Sequence, residues 1–233
     1  AGYTKVLESS GEGYTNGIPT NGFNYHHFFN GAQLDSSYFT VIDIPNNVSH
    51  VSGKYYYHTN AQNQQDTAYS INLDNAGAFS SGYKSVNIYA GNNLSEQWSY
   101  NSTDSVNYNL QGKTVHYYNA NNNSDSVVHF IWLAGTWYKQ GKVVSNYNAS
   151  QYLILKQWFG FDNNLQTYTN SSQDQWTRNN NSEIDTLFSQ LWNQGSQQFD
   201  TTVKIACVYQ NGLLLRTYGY TINPNNMQWQ PDP

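Results

Sequence analysis

Short stretches rich in Tyr, Val, Ile and Phe recur along most of this chain, separated by clusters of Asn, Gly, Ser and Asp. Stretches of that length suit strands, and the polar clusters supply the residues that turns demand, so the pattern predicts many strands joined by polar turns. The candidates are Tyr38–Ile44, Lys54–His58, Thr67–Leu73, Lys84–Tyr89, Thr114–Tyr118, Ser126–Leu133, Thr136–Lys139 and Tyr152–Phe159. The expected fold class is mainly β, with antiparallel sandwich-like sheets.

One segment breaks the rhythm. From Ser182 to about Asn193, Ile184, Leu187, Phe188, Leu191 and Trp192 fall at helical spacing and form one apolar stripe. Ser182 suits an N-cap, Glu183 and Asp185 suit the positive end of the helix dipole, and Gly195 suits a left-handed stop. A single packed amphipathic helix is therefore expected, with α+β as the alternative class. Beyond it, Thr202–Gln210 and Leu213–Ile222 flank Asn211-Gly212, the dipeptide best suited to a two-residue hairpin turn. That hairpin sets Cys207 across from Arg216.

Gly53-Lys54, Asn60-Ala61, Asn63 and Asp66 recur 59 positions later as Gly112-Lys113, Asn119-Ala120, Asn122 and Asp125. Such an offset suggests a duplicated β unit, with shared composition as the competing explanation. The expected organisation is an N-terminal segment over 1–36, β modules over 37–98 and 99–158, a helix-plus-hairpin part over 159–222, and a linker-like tail over 223–233. The tail is Pro-rich, running from Asn223-Pro224 to Pro231-Asp232-Pro233.

Charge narrows the partners. The 233 residues include 10 basic and 15 acidic side chains against 21 Tyr, 10 Phe and 7 Trp, and the net charge is −5. Nothing here makes a basic field that would hold phosphates, so nucleic acid and anionic membrane surfaces are not expected partners. No apolar run approaches the length of a membrane span. The sequence starts at Ala1 without a basic-then-apolar leader and carries one cysteine, Cys207, so it reads as a mature secreted product with no intrachain disulfide.

A search for catalytic and metal-ligating residues returns little that converges. Cys207 alternates with Val203 and Ile205, as a small structural residue would. His116 and His129 face each other if their two strands pair, but a zinc site needs further ligands. Asp66 and Asp125 occupy equivalent loop positions and could each contribute to a weak calcium site. Glycoside hydrolysis needs two positioned carboxyl groups, and of the four glutamates Glu96 is the candidate worth testing, together with Asp125. No catalytic set, metal site or cofactor is assigned.

Aromatic rings and amides are what the chain has in quantity. It contains 33 Asn and 19 Gln. Rings offer flat apolar faces and amides offer directional hydrogen bonds, a combination that suits sugar rings and their hydroxyl edges. Trp98, Trp132, Trp158 and Trp192 lie in apolar patterns and are expected in the core. Trp137, Trp176 and Trp229 lie in polar surroundings, and Tyr55 and Tyr57 flank Tyr56 on one strand, so these five are the expected ligand-binding residues.

In composition the chain resembles the secreted, Asn- and Tyr-rich surface and surface-layer-associated proteins of lactic acid bacteria. That resemblance implies a Gram-positive cell-surface location. The expected function is a non-enzymatic, adhesin-like protein that binds envelope or host glycan, or a surface protein. A structural surface-layer or array component and a cell-wall polysaccharide hydrolase remain as alternatives.

Overall fold

The computed structural model describes residues 5–15, 18–43, 48–222 and 228–231, and every regular element among them is a strand. In chain order these are β1 (Lys5–Thr15), β2 (Ile18–Asn30), β3 (Gln33–Asp43), β4 (Val48–Thr59), β5 (Gln65–Leu73), β6 (Phe79–Ala90), β7 (Asn93–Ser102) and β8 (Asn109–Tyr118). They continue with β9 (Ser124–Leu133), β10 (Thr136–Tyr147), β11 (Leu153–Asp162), β12 (Thr167–Arg178), β13 (Ile184–Asn193), β14 (Gln198–Gln210), β15 (Leu213–Ile222) and β16 (Trp229–Pro231). The chain divides into two compact units, Ala1–Lys113 with Trp132–Gly135, and Thr114–Ile131 with Thr136–Pro233. Strands β1–β7 belong to the first and β10–β16 to the second. Within each unit the strands pair antiparallel with their sequence neighbours.

The mainly β expectation holds, and the helix does not. Residues 184–193 form β13, paired to β12 and to β14 along its length. An amphipathic helix needs an apolar core against which to bury its stripe, and the described residues form very little of one. Among the described residues the one hydrophobic side chain that reaches burial is Val143, at 9% exposure. As a strand the segment instead gives its backbone groups partners on both edges, and Leu191 stays 56% exposed. Ser182, expected as an N-cap, is the left-handed residue of the preceding turn (φ 67°). Gly195 lies in the β13–β14 turn, where its N–H donates to Asn193 Oδ1 at 2.9 Å.

Trp98, Trp132, Trp158 and Trp192 are half-exposed rather than core. Cross-strand contacts stabilise the sheets instead. Tyr25 stacks on Phe39 with centroids 4.9 Å apart, and Lys84 Nζ lies 5.3 Å and 5.6 Å from the rings of Tyr69 and Tyr100. Gln157, Gln173, Gln190 and Thr201 are successive register partners across β11–β14. Their side chains form a hydrogen-bonded ladder at 3.0, 2.6 and 2.9 Å.

The repeating element is a hairpin. Left-handed residues recur at Gly31, Asn63, Gly91, Asn122, Gln151, Ser182 and Asn211, roughly 30 residues apart. The offset of 59 therefore spans two hairpins. Five turns share one construction, beginning at Asn60, Asp74, Asn119, Asn148 and Asn179, where the backbone N–H four positions before a carbonyl closes the loop at 2.8–3.0 Å. In each, the first residue's side-chain oxygen accepts two later backbone N–H groups, as Asn179 does from Asn181 at 2.9 Å and Glu183 at 3.1 Å. Asn179→Ala removes both acceptors and should cost about 1–2 kcal/mol, read as a lower urea midpoint.

Asn211 and Gly212 both have positive φ (53° and 76°), as the predicted hairpin turn requires. Gln210 pairs with Leu213 and Tyr209 with Leu214, and then a bulge shifts the register by one. Cys207 consequently faces Thr217 rather than Arg216. The pairings β1–β2 through β6–β7 and β10–β11 through β14–β15 each carry one such shift. Bulges bend the strand and increase its twist. Of the proposed tail, residues 228–231 are described and include β16, while the Asn223-Pro224 step and Asp232-Pro233 lie outside the described residues.

Candidate ligand-binding site

The second unit carries a groove of about 390 Å³ at one turn edge, lined by Tyr168, Thr169, Asn170, Trp192, Gln194 and Gln197. Tyr168–Asn170 open β12, Trp192 is the penultimate residue of β13, and the two glutamines lie in the β13–β14 turn. Pairing of β12 with β13 brings these segments side by side.

Both rings are held. Trp192 packs edge-on against its register partner Phe199 at 5.0 Å, and Tyr168 packs edge-on against Phe161 at 4.9 Å. Lys142 Nζ sits 4.5 Å from the Tyr168 centroid. Burial, with the nearby Tyr117 phenol, raises the Tyr168 pKa, so its hydroxyl stays a protonated donor at neutral pH. The amides differ from most others in the chain. The side chains of Asn170, Gln194 and Gln197 make no intrachain hydrogen bond among the described residues, whereas Gln157, Gln173 and Gln190 are committed to their ladder. Two fixed rings therefore sit beside three amides whose donors and acceptors remain open to a ligand.

The five expected ligand residues are not gathered there. Tyr55 and Tyr57 alternate along β4 in the first unit and are half-buried, while Tyr56 on the opposite face is 44% exposed. Burial, followed by the Tyr25 and Tyr57 phenols, raises the Tyr55 pKa. In the second unit Trp137 packs edge-on against Phe130 at 6.4 Å, and Trp176 pairs with Leu187. Trp229 is 39% exposed on β16 opposite Ile222. None of these five lines the groove.

The acid–base candidates have local explanations. Glu96 accepts a hydrogen bond from Trp98 Nε1 at 2.6 Å and lies 3.8 Å from Lys113 Nζ. Asp66 lies 2.5 Å from His58 Nδ1, and Ser126 donates to Asp125 at 3.3 Å. His26 meets Glu8 at 3.0 Å beside Ser9 and Ser10. No group of three His, Cys, Asp or Glu that could hold a metal occurs among the described residues.

His116 and His129 do come close. Burial lowers both imidazole pKa values, and the charge of His129 lowers that of His116 further. In the unfolded chain they protonate at about pH 6.5, so below that pH the unfolded state binds more protons than the folded state. Their contribution is complete above that value and is lost as pH falls through the lower folded values. The melting temperature should drop between pH 7.5 and pH 5, and His129→Asn should narrow the drop.

No family model matches the chain, and no curated protein matches it. Similar solved structures include a protein of unknown function from Bacteroides fragilis NCTC 9343, with TM-score 0.44 and 17% identity over 52% of this chain and 88% of that one. A DUF3836 family protein from Bacteroides vulgatus ATCC 8482 gives TM-score 0.34 and 16% identity over 39% of this chain and 91% of that one. The TcdB2-TccC3-TEV structure gives 0.30 and 9% over 95% of this chain and 15% of that one.

Proposed function

We propose that this is a secreted, non-enzymatic cell-surface protein that binds an envelope or host glycan. The observation that carries the reading is the Trp192 and Tyr168 pair beside the uncommitted amides of Asn170, Gln194 and Gln197. Rings so placed can stack on the apolar faces of pyranose units while the amides bond to hydroxyl groups, which needs no net charge on either partner. The candidate carboxylates are engaged in local contacts, and this favours binding over hydrolysis.

The test is binding of the purified chain to immobilised cellulose, β-1,3-glucan, chitin, purified bacterial walls and a mammalian glycan array. Selective retention on at least one glycan, unchanged in composition after overnight incubation, is the expected result. Equal, background-level retention across the whole panel would sink the glycan reading, and release of sugar would replace it with the hydrolase.

A further inference from the structure

The first unit carries a second groove, also at a turn edge. It has a volume of about 510 Å³ and is lined by the turn residues Gln62 and Gln64, by Asp66, by Tyr89 and by the next turn's Asn92, among others. Tyr89 is the penultimate residue of β6, as Trp192 is of β13, and Asp66 is the second residue of β5, as Tyr168 is of β12. Pairing of β5 with β6 brings those ends together, as pairing of β12 with β13 does in the second unit. Each groove thus joins the start of one strand, the end of its neighbour and the turn that follows, with one ring at the same position.

The walls of this groove are preorganised. Tyr89 Oη donates to the Gln65 carbonyl at 3.0 Å, and Asn87 donates to the same carbonyl at 2.8 Å. Gln64 bridges the two turns by donating to the Gly91 carbonyl at 2.8 Å. The side chains of Gln62 and Asn92 make no intrachain hydrogen bond among the described residues, so they are open to a ligand. Asp66 Oδ1 is held by His58, and the second carboxylate oxygen is left to accept from hydroxyl groups and repel acidic sugars.

We infer that this groove is a second carbohydrate site, selective for neutral sugars, and that the chain binds two oligosaccharides, one in each unit. This rests on the glycan reading of the second unit's groove. Two sites on one chain raise the apparent affinity for a polymer above that for a short oligosaccharide wherever one strand of polymer reaches both.

Isothermal titration with cellohexaose, laminarihexaose and maltohexaose tests it on the full chain. The expected stoichiometry for whichever hexasaccharide binds is near two, falling to near one in Trp192→Ala and in Tyr89→Ala and to none in the double variant. Gln62→Ala touches no fold contact and should weaken the first unit's site about tenfold while leaving the other unchanged. A single site abolished by Trp192→Ala overturns the second groove and leaves the proposed function standing. Residual binding in Trp192→Ala that neither Tyr89→Ala nor Gln62→Ala reduces also overturns it. Absence of binding by all three hexasaccharides overturns the second groove, and the glycan panel above then decides the proposed function by itself.

Discussion

Trp192→Ala should weaken glycan binding at the second unit's groove about 30-fold, the equivalent of about 2 kcal/mol for a buried aromatic anchor. The ring is the largest apolar surface in the groove, and its edge-on contact with Phe199 fixes it before ligand arrives, so little rotamer freedom is lost on binding. Trp192→Phe should recover part of the loss, since a smaller flat face remains. Tyr168→Phe keeps the second ring but removes its protonated hydroxyl, and should cost about tenfold or less. Titration of each variant against the same hexasaccharide, with the urea midpoint as a folding control, separates lost contact from lost structure. An unchanged affinity in Trp192→Ala would place the binding surface elsewhere.

The largest expected effect on stability comes from Gly141→Ala. A Cβ at this position would lie 2.4 Å from the Phe159 carbonyl oxygen, a separation that real side chains do not tolerate. Because the obstacle is backbone of the paired strand β11, no side chain can swing aside. The β10–β11 ladder must open where Gly141 faces Gly160. A cost of about 2–4 kcal/mol is expected, near the upper end for single substitutions. Gly160→Ala is the matched control, since the nearest atom to its Cβ would be Thr169 Oγ1 at 3.6 Å, an ordinary contact. Urea unfolding should give a large midpoint decrease for the first and a small one for the second. Equal midpoints would mean that the close approach relaxes at little cost.

Much of the fold was legible wherever Tyr, Val and Ile alternate with polar residues. The eight predicted stretches fall on β3–β6 and β8–β11, differing at their ends. Strands β7 and β12 were hidden because Asn, Ser and Gln dominate them, and those residues signal turns when read alone. Their place in the sheet comes from neighbours on both edges, which supply backbone bonds whatever the side chain. The same long-range pairing overrode the helical spacing of β13. Asn211-Gly212 was readable because its turn chemistry is local, but the bulge one step further on, which moved Cys207 away from Arg216, was not.

The groove was harder to see. Amides are so frequent that Asn170, Gln194 and Gln197 look like any others, and what separates them is the lack of an intrachain partner, a property set by register. A usable signal did exist in Trp192 immediately before the Asn193-Gln194-Gly195 turn, which places a large ring at a turn edge. The helical pattern drew it instead into an expected core.

Because the pairings within each unit join strands that are adjacent in sequence, each hairpin depends for its stability on its immediate neighbours. Such a chain behaves as a one-dimensional array in which folding can start at several places and spread, without first closing long loops. Length then becomes an adjustable quantity. Deleting residues 180–209, one full period of strand, turn and strand, should leave a shorter sheet that still folds, whereas a deletion of half that length would invert every later strand and unpair it. Gain or loss of whole periods is thus the route by which a protein of this design could change its reach, or its number of grooves, without rebuilding a core.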